Sequence, residues 1–449
     1  MKKFITFFLA IILSNSAFAD NNISDLVENI INKTDPNLNI GIKIKNLTTN
    51  KVVYEKNSKR YFMPGSSLKF IALVSFLEHF GAEYQFISRV LKKDDNYYIE
   101  IHHPNFSNAD LKSMLTKIAE DSGGTVRGNI YIINNEFTVS PIMREKAVSD
   151  TLYCNGSLIT KVHINKNCAK LNARPGKVGQ EIIIQADKEF PYIIDNNAKT
   201  INKNQLDRLH VTINEGKYVI NGTLSKNQNW LPIGAVTSEN FENVAYHLKK
   251  GLALKGVNVQ GKIISGKLPQ KAKSIYSASI SYQDAADRAM KISDNYMTDY
   301  FLAEYATQSK FTEWRRAILA MKRLIAKKFG VDLRKSEIHD ASGLSRRNLL
   351  TVNQISDFLS AASKSKNFEI IKSLMACPGN DCTLRDRFKG AKDLYTKTGT
   401  LRHVSSLMGY FKDTKGDQHS FVIMANNFYD YNKPYRELEE EIVRLFMER

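Results

Sequence analysis

Cysteine is scarce, four residues in 449, and neither of the pairs they form along the chain has C-x-x-C spacing. None of the nine histidines stands in an H-E-x-x-H helix, so a zinc site made by the four cysteines is the weaker reading and no metal is called for. No internal repeat or low-complexity tract occurs, and at 43% hydrophobic and 24% charged residues disorder is not the default. The apolar run Phe4 to Leu13 is too short to span a bilayer, which needs roughly 20 residues. Preceded by Lys2-Lys3 and followed by Ala17-Phe18-Ala19, it reads as a cleaved secretory signal over residues 1–19, leaving Asp20 as the mature start. Residue 20 is not cysteine, which argues against a lipoprotein.

Export changes how the remaining totals read. In an oxidising compartment four cysteines suggest two disulfides. Cys377 and Cys382 flank the turn sequence Pro378-Gly379-Asn380-Asp381, and Cys154 with Cys168 makes the second pair. The formal charge is +18, and removing Lys2 and Lys3 with the signal takes 2 away and leaves +16. For an exported chain a polyanionic envelope, or simple solubility, explains this better than nucleic acid, because the lysines between Lys161 and Lys273 have no interleaved aromatics. The C-terminal segment Glu437 to Arg449 has an acidic polar face, so membrane association is loose at most.

Ile40, Ile42 and Ile44 alternate with Gly41 and Lys43 as in a half-buried strand, and Asn46 to Asn50 reads as a turn into Val52-Val53-Tyr54. Near the other end, Ser406 to Phe411 and Ser420 to Ala425 are strand-like, and Tyr435 to Met447 is an amphipathic helix. The stretch from 86 to 270 carries short Val/Ile/Tyr runs divided by Asn, Gly and Lys. The expected organisation is therefore a domain of residues 20–85 and 271–449 interrupted by a β-rich insert of residues 86–270.

Three short motifs can carry chemistry. In Pro64-Gly65-Ser66-Ser67-Leu68-Lys69, a serine and a lysine three residues apart share one helix face just before the apolar run Phe70 to Leu77. Desolvation there lets the lysine amine accept the serine proton, and the helix N-terminus favours a developing oxyanion. Ser293-Asp294-Asn295 offers a second hydroxyl to relay a proton and an amide to hold a carbonyl, although alone it reads as a helix N-cap. Lys397-Thr398-Gly399-Thr400 follows a strand-like segment; its cation and hydroxyls can hold a carboxylate, and its glycine admits a substrate backbone. Each is weak by itself, but the three in this order form the signature of active-site serine penicillin-recognising enzymes.

With these motifs the sequence resembles the class C low-molecular-mass penicillin-binding proteins, D-alanyl-D-alanine carboxypeptidase/endopeptidases. Asp340-Ala341-Ser342-Gly343-Leu344-Ser345-Arg346 with Asn348-Leu349-Leu350, and Thr383-Leu384-Arg385 with Arg387-Phe388-Lys389-Gly390, are similar to further segments of that family. The resemblance implies the α/β penicillin-recognition fold, a central antiparallel sheet flanked by helices, with a large β-rich insert. It implies Ser66 as acylated nucleophile, Lys69 as base, Ser293 as relay, Asn295 as a substrate-positioning amide, and Lys397, Thr398 and Thr400 around the substrate carboxylate. Backbone N–H groups of Ser66 and Thr400 would form the oxyanion hole beside Gly399, with no cofactor. Peptidoglycan stem peptides are the implied substrate, β-lactams the covalent inhibitors and the periplasm the location. Gly65 departs from the usual alanine, and His102-His103-Pro104-Asn105-Phe106 from the usual insert segment. A serine β-lactamase would need a dedicated deacylating base, which no residue supplies recognisably; a catalytically idle peptidoglycan-binding protein would not need the intact motif set.

Overall fold

The computed structural model describes residues 23–143, 146, 154–169, 171–186, 190, 193–202, 208–214, 217–233, 235–236, 240–379, 382–429 and 431–449. The signal peptide read over residues 1–19 lies outside them. The chain forms two compact units, one from the segment ending at His79 with Ala286–Asp294 and Ile318–Arg449, the other from Phe80–Ala285 and Asn295–Ala317.

In the first unit the N-terminal hairpin, β1 (Asn39–Asn46) and β2 (Lys51–Lys56), joins β3 (Leu394–Leu401), β4 (Val404–Lys412) and β5 (Gln418–Asn426) in one antiparallel sheet. Its order is β2-β1-β5-β4-β3, with Ile42 opposite Ile423 where the two chain ends meet. Strands β4 and β5 are buried along almost their whole length, because both faces of the sheet are covered. On one face Ile40, Ile42, Ile44, Leu407, Phe411, Phe421 and Ile423 pack in one cluster with Leu438, Ile442 and Phe446 of the terminal helix. The other face receives α1 (Leu68–Phe80) and α2 (Val352–Ala362): Phe70 meets Tyr410 at 6.4 Å, and the Tyr410 hydroxyl donates to the Leu359 carbonyl at 2.8 Å. Helix α1 reads LKFIALVSFLEHF; from Phe70 to Leu77 it is apolar but for Ser75, which suits a stretch buried on every side.

The terminal helix α3 (Lys433–Met447) brings one carboxylate into this core. Glu439 is fully buried, accepting from Ser405 Oγ at 2.7 Å and from Arg387 Nη2 at 3.0 Å. Arg387 comes from the Arg-Phe-Lys-Gly segment singled out in the sequence, so that segment is a brace for α3.

The second unit holds most of the β-rich sequence. A five-stranded sheet runs Ile263–Gly266, Ile130–Ile133, Asn96–Glu100, Gln85–Lys93, Lys273–Ser281 in spatial order. Helices Asn108–Ser122 and Asn240–Leu254 supply Leu111, Met114, Leu115, Val244, Leu248 and Leu252 to its core. A smaller cluster around Leu171, Ala173, Tyr218, Ile220 and Leu224 lies under the remaining short strands. The unusual His102-His103 segment is part of a buried polar network: Glu304 accepts from the Tyr84 hydroxyl at 2.9 Å, bonds His102 Nε2 at 3.1 Å and lies 3.4 Å from Lys161 Nζ.

Cys154 and Cys168 form a disulfide. The second expected pair is corrected: Cys377 and Cys382 are free thiols. The Cys382 thiol is turned to the backbone, 3.0 Å from the Cys377 carbonyl, and packs on the core beneath it.

Two outcomes follow from the buried charges. Arg387→Ala strands Glu439 without its cation, so the free energy of unfolding should drop by about 3–5 kcal/mol, measured by denaturant titration. In the second unit, burial raises the Glu304 pKa, but His102, Lys161 and Tyr84 overcome it and hold the group at about 2 against an ordinary 4.5. Burial, then the neighbouring His103, depresses the enclosed His163 to about 3 from 6.5. Both folded-state values lie below the unfolded ones, so their stabilisation is complete above pH 6.5 and drains as pH falls toward 2. Melting temperature should fall over that window, and Glu304→Gln should melt lower at pH 7 with a shallower acid limb.

Candidate active site

Residues Gly65–Ser67 make a single 3-10 turn that runs straight into α1. Ser66 and Lys69 therefore lie on one side of the helix start, and Lys69 Nζ donates to Ser66 Oγ at 2.9 Å. Lys69 is fully buried and also donates to the Ser342 carbonyl. That carbonyl belongs to the Asp-Ala-Ser-Gly segment, whose shape is set by Asp340. One Asp340 carboxylate oxygen accepts from Gly343 N–H and Asn348 Nδ2, both at 2.8 Å, and the other from Ser345 N–H at 2.7 Å. Sequence reasoning gave neither Asp340 nor Ser342 a role; the signal present was an acid followed by small residues and an asparagine, the residues of a tight polar loop.

Ser293 is held from the other side. Lys397 Nζ donates to Ser293 Oγ at 3.0 Å and to the Thr398 carbonyl at 2.8 Å. Ser293 is not an N-cap. Its N–H bonds the Met290 carbonyl at 3.2 Å and the Asp294 N–H bonds the Ala289 carbonyl at 2.8 Å, the paired bonds of a Schellman closure on the preceding helix. Its φ of +57° is the left-handed position that glycine usually takes there. A serine is thus kept at some backbone cost where its hydroxyl meets a lysine. Asn295 begins the helix Asn295–Gln308 in the second unit, with its side-chain amide 3.4 Å from Asn155 Oδ1.

Strand β3 lies at the edge of the sheet. Beside β4 it has only a bridge from Ala376, whose N–H and carbonyl bond Thr396, among the described residues. From Lys397 onward the strand alternates: Lys397 and Gly399 are buried, Thr398 is half-buried and Thr400 is exposed. Two glycines let this strand touch the nucleophile turn. A Cβ on Gly399 would fall 2.5 Å from the Pro64 carbonyl oxygen and 2.9 Å from the Ser67 nitrogen. Gly65 has φ +52°, and a Cβ on it would lie 3.3 Å from the Gly399 carbonyl carbon and from the Thr400 nitrogen. Ser406 locks the joint, donating to the Pro64 carbonyl at 2.7 Å and sharing a 2.8 Å hydrogen bond with Ser67. The structure therefore brings Ser66, Lys69, Ser293, Lys397, Gly399 and the Thr400 backbone together.

Lys397 is buried, and burial first, then the Lys69 charge, pushes its pKa well below the ordinary lysine value. Two amines in one dry site favour a state in which one of them is neutral, which is the form able to take a proton from a hydroxyl.

The family model for the D-Ala-D-Ala carboxypeptidase 3 (S13) family matches residues 24–448. The chain belongs to that family. This S13 enzyme is a serine-type D-Ala-D-Ala carboxypeptidase, and it is 22% identical over 445 residues to the D-alanyl-D-alanine carboxypeptidase DacB of Haemophilus influenzae, covering 94% of this chain and 92% of that one. A D-alanyl-D-alanine carboxypeptidase of Actinomadura sp. strain R39 is 23% identical over 417 residues, 86% of this chain and 77% of the other. Among solved structures, penicillin binding protein 4 (dacB) from Haemophilus influenzae superposes with a TM-score of 0.81 at 20% identity, covering 94% of this S13 chain and 99% of that chain. The same protein complexed with a β-lactam gives 0.77. The likeness shows the penicillin-recognition fold expected from the motifs. Gly65, the departure from the usual alanine, has a physical reason in its positive φ and in the nearness of β3.

The contact at Gly399 yields a test. Gly399→Ala must push the nucleophile turn away from β3, and a displacement of this order costs about 100-fold in rate. The second-order rate of acylation by a chromogenic β-lactam should fall by that factor while the sheet core holds the unfolding midpoint near the native value.

Proposed function

We propose that Ser66 is the nucleophile of a periplasmic DD-peptidase that cleaves D-Ala-D-Xaa bonds in peptidoglycan stem peptides, as carboxypeptidase, endopeptidase or both. The observation that carries the reading is the 2.9 Å contact between Ser66 Oγ and the buried amine of Lys69. In the first step Ser66 Oγ attacks the carbonyl carbon of the D-Ala-D-Xaa bond and its proton passes to Lys69. The Ser66 and Thr400 backbone N–H groups are offered as the oxyanion hole, since the Gly65 turn and Gly399-Thr400 lie side by side. Ser293, hydrogen-bonded to Lys397, returns a proton to the leaving amine, and the C–N bond breaks to leave an ester on Ser66. Water then hydrolyses the ester.

Lys397, Thr398 and Thr400 would hold the carboxylate of the leaving residue, with Gly399 admitting its backbone to the open edge of β3. Asn295 is assigned to the acyl-side amide by resemblance. Periplasmic residence rests on the signal-like residues 1–19. Inhibition by β-lactams is supported by the complex of the Haemophilus relative with a β-lactam.

Intact mass after incubation with benzylpenicillin tests the reading. A gain of one ligand, stable to denaturation, is expected on the native protein and not on Ser66→Ala. An adduct of equal yield on the variant would remove Ser66 from the mechanism.

A further inference from the structure

Helix α3 begins with the wrong charge. Its first turn contains Lys433 and Arg436 and no acid, although the helix dipole favours anions at that end; Lys433 is answered by Glu437 one turn on, at 3.7 Å. Arg436 is exposed and joins no ion pair among the described residues. The nearby Glu439 carboxylate is already engaged by Ser405 and Arg387. Among the described residues, the Arg436 guanidinium makes one hydrogen bond, from Nη2 to Thr400 Oγ1 at 3.3 Å, on the Lys-Thr-Gly-Thr strand.

The position of Arg436 is firmly set. Asn432, just before the helix, donates through Nδ2 to the Leu401 and Val404 carbonyls, both at 3.0 Å, which ties the helix start to the β3–β4 turn. Arg436 N–H bonds the Asn432 carbonyl at 3.1 Å, and the Arg436 carbonyl accepts from Arg387 Nη2 at 2.8 Å. Tyr435, next to it, is buried in the sheet core. The backbone of an exposed arginine is thus fixed beside Thr400, and its charge, felt by the buried Glu439, has no carboxylate of its own within ion-pair distance among the described residues.

We infer that Arg436 is a specificity-determining residue that binds the substrate's terminal carboxylate together with Thr400. This deepens the proposed function and rests on its reading that the Lys397–Thr400 strand holds that carboxylate. A guanidinium presents five N–H donors in a planar fork matched to a carboxylate, and the contact with Thr400 uses one. Because Thr400 Oγ1 accepts from Arg436, its own proton is free to donate onward to the same carboxylate. The charge requirement points the same way. Burial, then the Lys69 charge, lowers the Lys397 pKa well below the ordinary lysine value, whereas arginine keeps its charge at every pH the enzyme meets. A permanent cation at the outer end of β3 adds charge attraction to the hydrogen bonds that Lys397 and the two threonines offer the carboxylate.

The test compares kcat/KM for an N-acylated tripeptide ending in D-Ala-D-Ala with that for the same peptide ending in D-alaninamide. The native enzyme should prefer the acid, and Arg436→Ala should reduce that acid-to-amide preference about 10- to 100-fold, mainly through KM. Arg436→Lys should recover part of the preference, since it restores charge without the fork. The unfolding midpoint of each variant reports folding. An equal loss on both peptides would make Arg436 structural, and an unchanged preference would exclude it from the site; either overturns the inference. A native enzyme that does not distinguish acid from amide would remove the carboxylate role of the Lys397–Thr400 strand itself, and the inference with it. In every case the Ser66 mass adduct separately reports whether the nucleophile assignment stands.

Discussion

An amine without access to water, 2.9 Å from a serine hydroxyl, is the constraint on which the first unit turns. The site must exclude water and still offer the amine polar partners, because a buried amine without them is costly. The apolar helix α1 meets the first need, since its residues from Leu68 to Leu77 are all buried. The Ser342 carbonyl, set by the Asp340 loop, helps meet the second. A sheet covered on both faces supplies the stiffness that keeps a turn, a loop and an edge strand in register.

The site is also where local preferences are broken. Ser293 sits at a left-handed helix end that glycine would occupy more easily. Lys69 and Lys397 are two amines in one dry region, and the first turn of α3 carries cations against the helix dipole. Away from the site, Ser107 caps the helix Asn108–Ser122 with a full capping box, as does Thr351 for α2. The departures at the site are those that bring a hydroxyl or a cation to the point where groups converge.

Much of this was legible in the residues. Period-two alternation in Ile40 to Ile44 marked β1, and the apolar run after Lys69 marked a buried helix. Three spaced motifs named Ser66, Lys69, Ser293 and Lys397, because an activated hydroxyl needs a base and a carboxylate needs a cation in any fold. The Schellman closure at Ser293 was not legible, since Ser-Asp-Asn equally suits an N-cap and only backbone bonds to Met290 and Ala289 decide between them. Cys377 and Cys382 stand five apart across a turn sequence, but side-chain direction turns the Cys382 thiol to a carbonyl.

By itself, then, the sequence determined which chemical groups are available and the local elements that carry them. Helix periodicity puts Ser66 and Lys69 on one face without reference to the rest of the chain. The tertiary structure alone decided what spans long separations: Lys397 reaching Ser293, Gly399 against Pro64, the Ser342 carbonyl on Lys69 and Arg436 on Thr400. Those contacts join segments far apart in the chain, and their distances depend on how the sheet stacks its strands and helices, which no spacing in the sequence records.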